Sequence, residues 1–389
     1  MSTRRRILFV DETSSIAGGT NSLLLLLQKL DKEKYEPILL APDGPFVESA
    51  RRMNIATCVY GFKYLRLTNK LFDHMIPNPI LLFYRLQDAF YISKLIRDRC
   101  ISLIHSNTLN AHITSSFARR ISRIPVIWHV RRMYNFSSLL YRGVWLPERI
   151  IFVSRSAMER AFGPKGHPKA CVVHNGIDLE SFRRDLKAYR EVRRDFGLAS
   201  DEKIVGSVGR LDPGKGYEYF IQAARAVLNM GIRARFMIVG DYQYDGGYAR
   251  SLLSLVADLN MKDEVIFAGF QSNVSRLASA FDVFVSPSVR DAHPRVVLEG
   301  MALSLPIVGT ESGGIAETVQ HGKSGLLVPV RDGQGLANAI VQVLSDPELA
   351  ARLGKNGYNR VMKLFSARGY AKKVERIYDS VLNEIANRN

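Results

Sequence analysis

Residues 282–328 read DVFVSPSVRDAHPRVVLEGMALSLPIVGTESGGIAETVQHGKSGLLV. Val283 to Val285 predicts a short buried strand. Asp291 falls in the loop that follows. Val296, Val297, Leu298, Met301 and Ala302 recur at helical spacing, and Glu299 lies within that pattern. Pro294 suits the first helical turn, where a missing N–H costs nothing. Pro306 to Val308 predicts the next strand, Gly313-Gly314 a turn, and a second helix follows. The stretch is therefore strand, loop, helix, strand, turn, helix. It holds two carboxylates eight positions apart, one at a helix start and one about a turn inside. Such a pair can reach the hydroxyls of one polar ligand, while free N–H groups at the helix start hold its anionic part. The spacing predicts a site for a sugar carrying a phosphate. The plain alternative is a helix cap and a surface charge.

The same alternation extends in both directions. Ile7 to Val10 reads as a strand before Gly18-Gly19 and a helical run Ser22 to Leu30. Glu36 to Leu40, Ser102 to His105, Pro125 to His129, Ile150 to Val153 and Ala170 to His174 read as further strands. Pro79 to Arg99 reads as a helix. The rhythm restarts at Lys203 to Val208, followed by a helix from Tyr217 to Met230. Strands at Ala234 to Val239, Val265 to Ala268 and Val283 to Val285 come next, and the last helix spans Ala367 to Ala386. Alternating strands and helices predict two Rossmann-like, doubly wound parallel sheets. The charged stretch Leu179 to Glu202 should hold the boundary. The expected domains are 1–180 and 181–366.

The chain has 389 residues, 47% of them apolar, enough for two such domains. Its three cysteines, Cys58, Cys100 and Cys171, have no metal-ligand spacing and suit a reducing compartment. All three read as small buried hydrophobes. No apolar run is long enough to span a bilayer, and the start lacks the apolar core of a signal peptide. A cytoplasmic protein is expected. The net charge is +17, and residues 1–180 hold 26 Lys and Arg against 14 Asp and Glu. No nucleic-acid motif accompanies this excess, so nucleic acid is not the expected partner. Arg119, Arg120 and Arg123, Arg131 and Arg132, and Lys63, Arg66 and Lys70 form basic groups near the Pro79 to Arg99 stretch. They suit an anionic membrane surface, which would place the protein peripherally on the inner face of the cytoplasmic membrane.

Loops at the carboxyl ends of strands carry the remaining signals, because open parallel sheets bind ligands there. Gly18-Gly19 lets a backbone approach a ligand closely. Gly209 to Lys215 spells G-x4-G-K, but Gly216 replaces the metal-binding Ser or Thr of a P-loop. Arg210 and Lys215 supply two cations for phosphate. No D-x-D occurs, so no metal is expected on a diphosphate. Trp128-His129-Val130-Arg131-Arg132 follows a strand and makes His129 a site candidate. His174-Asn175-Gly176-Ile177-Asp178 signals a turn, read as the hinge side of a cleft. Neither a dinucleotide fingerprint nor a nucleophile elbow is present.

Taken together, these residues resemble the retaining glycosyltransferases of the GT-B fold, family four. The matching pieces are the first GG, HNGID, VGRLDPGKG, VGD, AGF, SPS, the D-x7-E segment, GG-x-x-E at Gly313 to Glu317, and GKSGLLV. The resemblance implies two domains facing across a cleft, with the acceptor in the first and a nucleotide-diphosphate sugar, UDP- or GDP-linked, in the second. It implies that helix 367–389 crosses back to the first domain. It implies catalytic roles for His129, Asp291, Arg210 and Lys215. Donor contacts would come from Gly18, Gly19, Gly209, Arg210, Lys215, Gly240, His293, Arg295, Val296 and Glu299. Neither metal nor cofactor is implied. The family usually carries Glu where this chain has Asp291. The expected reaction moves a hexosyl unit to a hydroxyl of a carbohydrate or lipid-linked acceptor with retention, in surface polysaccharide or glycolipid synthesis. The alternatives are an epimerase or phosphorylase of the same fold, or a silent partner-binding subunit.

Overall fold

The computed structural model describes residues 4–65, 79–135, 147–199, 201–241 and 246–387. The chain divides into two compact units, Met1–Gly176 with Ala367–Asn389, and Ile177–Ser366.

In the first unit, β1 (Arg5–Val10), β2 (Tyr35–Ala41), β3 (Ala56–Val59), β4 (Leu103–Ser106), β5 (Val126–Val130), β6 (Arg149–Phe152) and β7 (Ala170–Val172) form one sheet in the order β3-β2-β1-β4-β5-β6-β7. Every pairing is parallel. Ile7, Leu8, Phe9 and Val10 are all buried, as expected for a strand covered on both faces. Helix Gly18–Lys29 begins at the glycine pair itself, earlier than its leucine run suggests. Leu23 to Leu27 are all buried in it, against core residues of helix Ala367–Ala386. That last helix presents Tyr370, Ala371, Val374, Tyr378 and Val381 inward at helical spacing, onto Ile7, Phe9 and Tyr35. The opposite sheet face is covered by helix Pro79–Asp98, which places Ala89, Ile92, Leu95 and Ile96 in a second core.

In the second unit, β8 (Lys203–Val208), β9 (Ala234–Val239), β10 (Val265–Gly269), β11 (Val283–Ser286), β12 (Ile307–Thr310) and β13 (Leu326–Val328) form a parallel sheet in the order β10-β9-β8-β11-β12-β13. Two cores, one on each face, lie wholly within residues 177–366. The stretch from Leu179 onward belongs to this unit, with a short turn Leu179–Ser181 and a helix Leu186–Asp195. The division falls between Gly176 and Ile177, inside the HNGID motif. A side chain on Gly176 would lie 2.7 Å from Tyr370 Cβ, so only glycine lets the chain pass the last helix there.

In each sheet the strand order reverses direction beside the first strand, between β1 and β4 and between β8 and β11. Parallel sheets open a crevice at such a reversal. One expectation fails away from these points. Cys100 is exposed and takes a left-handed backbone at φ 48°, ending helix Pro79–Asp98 instead of filling a core.

Candidate functional site

The loops after β8 and β11 meet at the second unit's reversal point. After β8, Gly209 turns at φ 156°, and its carbonyl accepts a hydrogen bond from the buried Tyr217 hydroxyl at 2.9 Å. Asp212 caps a single turn Pro213–Lys215 by accepting from the Gly214 amide at 3.0 Å. The Gly214 carbonyl accepts from the amides of Val289 at 3.0 Å and Arg290 at 3.1 Å, which ties the two loops together. Gly216 follows at φ 67°, where a Cβ would sit 2.4 Å from the Pro287 carbonyl. The missing P-loop hydroxyl thus has a steric cause. Gly240, at the end of β9, is bare for a similar reason, since a Cβ would lie 1.9 Å from the Gly209 carbonyl. It seats the β8 loop.

This packing aims Lys215 Nζ at Asp291 Oδ2, and the two form a mostly buried ion pair. Arg210 stands nearer solvent, with Nη2 3.8 Å from an Asp212 oxygen. The other Asp291 oxygen accepts from the His293 amide at 3.1 Å, and the Asp291 carbonyl accepts from the Gly314 amide at 3.2 Å. Gly314 must be bare, as a Cβ would lie 2.3 Å from the Ala292 carbonyl. His293 is buried, with Nε2 3.2 Å from the Thr318 hydroxyl. Helix Arg295–Ala302 starts after Pro294, and no side chain caps its first amides. Arg295 and Glu299 lie one turn apart on it, 3.7 Å between Nη2 and Oε1, while Val296 is half-buried. Burial pushes the Glu299 carboxyl above its ordinary value, and Arg295 offsets part of that rise. Gly209, Arg210, Lys215, Gly240, Asp291, His293, Arg295, Val296 and Glu299 are therefore gathered around one strand-end region. Among the described residues, no three His, Cys, Asp or Glu side chains converge as metal ligands.

The first unit links Gly19 to His129 through Arg131, in ways the linear order hides. His129 is the fourth residue of β5 and wholly buried, rather than in a loop beyond the strand. Its Nδ1 lies 3.3 Å from His105 Nε2, and His105 Nδ1 lies 2.7 Å from the Tyr378 hydroxyl. Burial holds both imidazoles well below their ordinary values, and the Arg131 charge adds to this. The sequence suggests a surface cation at Arg131, but it is a partly buried internal node. It donates to Asn107 Oδ1, to Asn175 Oδ1 at 3.1 Å and to the Tyr370 hydroxyl at 3.1 Å. A Cβ on Gly19 would sit 3.5 Å from Arg131 Cδ, an ordinary contact, while Gly18 is exposed. Two residues absent from the expectations complete this end. Asp11 is buried, and its Oδ2 accepts from Asn107 Nδ2 at 2.6 Å. Glu12 accepts from the Thr108 hydroxyl and from the Ala111 amide at 3.1 Å. Burial, then the neighbouring Asp11, pushes the Glu12 carboxyl up to about 7. The available signal was a pair of carboxylates directly after β1, at the reversal point.

Residues 189–360 match the family described as Glycosyl transferases group 1, and residues 16–181 match Glycosyltransferase Family 4. The chain belongs to family 4 of the glycosyltransferases. This family 4 glycosyltransferase is 32% identical over 255 residues to the N-acetyl-alpha-D-glucosaminyl L-malate synthase of Bacillus anthracis, a match covering 65% of each chain, just under two thirds. It is 25% identical over 326 residues to an Escherichia coli UDP-Gal:alpha-D-GlcNAc-diphosphoundecaprenol alpha-1,3-galactosyltransferase, covering 79% of this chain and 82% of that one. The fold of the glycosyltransferase is that of Anabaena HepE, crystallised with UDP and glucose. The TM-score is 0.81 at 21% identity, over 97% of this chain and all of the other. Both units are accounted for by that architecture, the GT-B fold.

Proposed function

We propose that this glycosyltransferase moves a hexosyl unit from a nucleotide-diphosphate sugar, UDP- or GDP-linked, to an acceptor hydroxyl with retention of anomeric configuration. The second unit binds the donor and the first unit binds the acceptor. The observation that carries the reading is the convergence of Lys215 and Asp291 at the β8–β11 reversal, beside uncapped helix amides and the Arg295–Glu299 pair. Cations and amides there suit a diphosphate, and the two carboxylates suit hydroxyls on its two sides.

In this reading Arg210 and Lys215 offset the negative charge that develops on the departing diphosphate. Glu299 accepts from ribose hydroxyls. Its buried position sharpens that contact, because a hydrogen bond is stronger where water is excluded. Asp291 holds Lys215 before the donor arrives and faces the transferred sugar afterwards. The donor diphosphate then competes for an ammonium that already has a partner. No side-chain nucleophile is required. The acceptor hydroxyl attacks the face that the diphosphate leaves and passes its proton to the departing phosphate oxygen. Anabaena HepE with UDP and glucose, and the galactosyltransferase relative with its UDP-Gal donor and diphosphoundecaprenol-linked acceptor, support a UDP-sugar and a role in surface polysaccharide or glycolipid synthesis.

The test is turnover against a panel of UDP-, GDP- and ADP-sugars with sugar and lipid-linked acceptors. Proton NMR then reads the configuration of the new bond. Acceptor-dependent nucleotide release with a retained anomer supports the reading. Release that needs no acceptor favours an epimerase, a need for inorganic phosphate favours a phosphorylase, and no release from any donor favours a silent subunit.

A further inference from the structure

Helix Pro79–Asp98 has a buried face and an outward face of different character. Inward, Arg85 and Asp88 are buried and committed. Arg85 Nη2 donates to Asn110 Oδ1 at 2.8 Å, and Asp88 accepts from the Tyr60 hydroxyl at 2.6 Å and the Lys63 amide at 3.1 Å. Ala89, Ile92, Leu95 and Ile96 fill the core beside them. Outward, residues 80, 83, 87, 90, 94 and 97 follow one another at three- and four-residue steps, which places them on a single stripe. Ile80 is 56% exposed, Phe83 56% and Phe90 62%, with Leu82 at 46% on the flank. The same stripe ends in the exposed cations Lys94 and Arg97, and Arg99 is exposed just beyond.

The neighbouring helix Leu109–Ser122 adds to this basic end. Arg85 contacts Asn110 and Thr114, and the Ser93 hydroxyl lies 3.4 Å from the Ala118 carbonyl. Contacts advance in the same direction on both helices, so the helices run parallel. Arg120, Ile121 and Arg123 are exposed at the end of the second, on the side of Lys94 and Arg97. Asp98 is the one exposed carboxylate on helix Pro79–Asp98. Two exposed phenylalanines and an isoleucine on one helix stripe are unusual for a solvated surface.

We propose that this stripe docks the first unit on the surface of an anionic lipid bilayer. Ile80, Phe83 and Phe90 enter the acyl boundary, while Lys94, Arg97, Arg120 and Arg123 meet lipid phosphates. The combination of an apolar stripe with flanking cations is what an in-plane interfacial helix needs. No helix among the described residues is long and apolar enough to cross a membrane, so the contact is in-plane. Of the cations that carry it, Arg120 and Arg123 belong to a group the sequence suggested, while Lys94 and Arg97 come from the helix itself. Lys63 Nζ donates to Gln87 Oε1 at 3.1 Å on the stripe, Arg119 pairs with Glu148, and Arg66 and Lys70 lie outside the described residues. The proposal stands independently of the sugar-transfer reading, because its test uses no donor.

Vesicle flotation of the full chain decides it, using phosphatidylcholine alone and phosphatidylcholine with an equal amount of phosphatidylglycerol. The wild-type protein floats with the anionic vesicles and stays behind with the neutral ones. Lys94→Gln with Arg97→Gln lowers anionic partitioning roughly thirtyfold, since each cation contributes about a fivefold factor. Phe83→Ser with Phe90→Ser lowers it at least about tenfold through lost apolar burial. All four positions are exposed, so an unchanged far-UV circular dichroism spectrum serves as the fold control. Equal flotation with both vesicle types, no flotation, or retained binding in both double variants overturns the proposal. So does a concentration-dependent dimer in sedimentation that the phenylalanine variant abolishes without any vesicle binding, because the stripe is then an interface between copies.

Discussion

Lys215 and Asp291 come from loops 76 positions apart, yet each is the other's charged partner. Removing the lysine leaves a mostly buried carboxylate unpaired and, on the proposed function, deletes a preorganised cation at the leaving group. Lys215→Ala and Arg210→Ala are each expected to lower kcat/KM by ~10²-fold or more, as loss of one such donor costs ~3 kcal/mol. Steady-state kinetics on folded variants reads this, and near-normal turnover moves the diphosphate site elsewhere. Glu12 yields a prediction about stability. Its carboxyl binds a proton more tightly in the folded chain than in the unfolded one, with a value near 7 against an ordinary 4.5. Protonation therefore favours folding, and that contribution is complete below 4.5 and lost as pH rises through about 7. Glu12→Gln should melt higher than wild type at about pH 8, with the gap closing towards about pH 5. A gap that does not change with pH contradicts this assignment. Single residues were unevenly legible. Glu299 stood out because a helical period surrounds it, and Asp291 because it sits in the loop just before that helix. Arg131 did not, because its partners Asn107, Asn175 and Tyr370 are far apart in the chain. A cation read without its partners looks like surface charge.

Among elements, the glycine-rich turns decide how the strand-end loops nest. Gly240 admits the Gly209 carbonyl, and Gly216 admits that of Pro287. Gly240→Ala drives a methyl group into backbone that cannot rotate away, an overpacking cost of ~2–3 kcal/mol. The expected outcome is a lower denaturation midpoint, together with nucleotide affinity weakened by displacement of the Gly209–Lys215 loop. Wild-type values for both would show that the loop yields freely. Elements with a strong period were readable from sequence. β8 and β9 begin and end where their apolar runs do, and helix Ala367–Ala386 shows its full stripe. Elements missed lack that contrast. β3 is an edge strand of four residues with exposed ends, and β13 has only three residues. Helix Leu109–Ser122 buries His112, Thr114, Ser115 and Ser116, so its inward face looks polar. Its stabilising partners are tertiary, and no local pattern announces them.

For the whole molecule, the first unit is discontinuous in sequence while the second is not. Residues 177–366 contain both of their cores, whereas the first unit's core draws Tyr370, Val374, Tyr378 and Val381 from beyond them. Expressed alone, 177–366 should melt cooperatively. Residues 1–176 alone should not, and adding a peptide of residues 367–389 should restore part of the transition. A cooperative melt for 1–176 alone contradicts this. At the same scale, catalysis is expected to need no added metal, because on the proposed function Arg210 and Lys215 supply the charge a divalent ion would otherwise bring. Activity should persist in EDTA, and loss restored by Mg²⁺ or Mn²⁺ would count against that. The discontinuity also bears on how the protein is made. A ribosome delivers 177–366 in full before the helix that closes the first unit. The later half can therefore reach its native state while the earlier half still lacks Tyr378, which meets Phe9 edge-on and hydrogen-bonds His105. The usual N-terminal-first order of vectorial folding is inverted. Through that interval the leucine-rich helix Gly18–Lys29 lacks its cover, which makes it the natural place for a chaperone to hold the nascent chain.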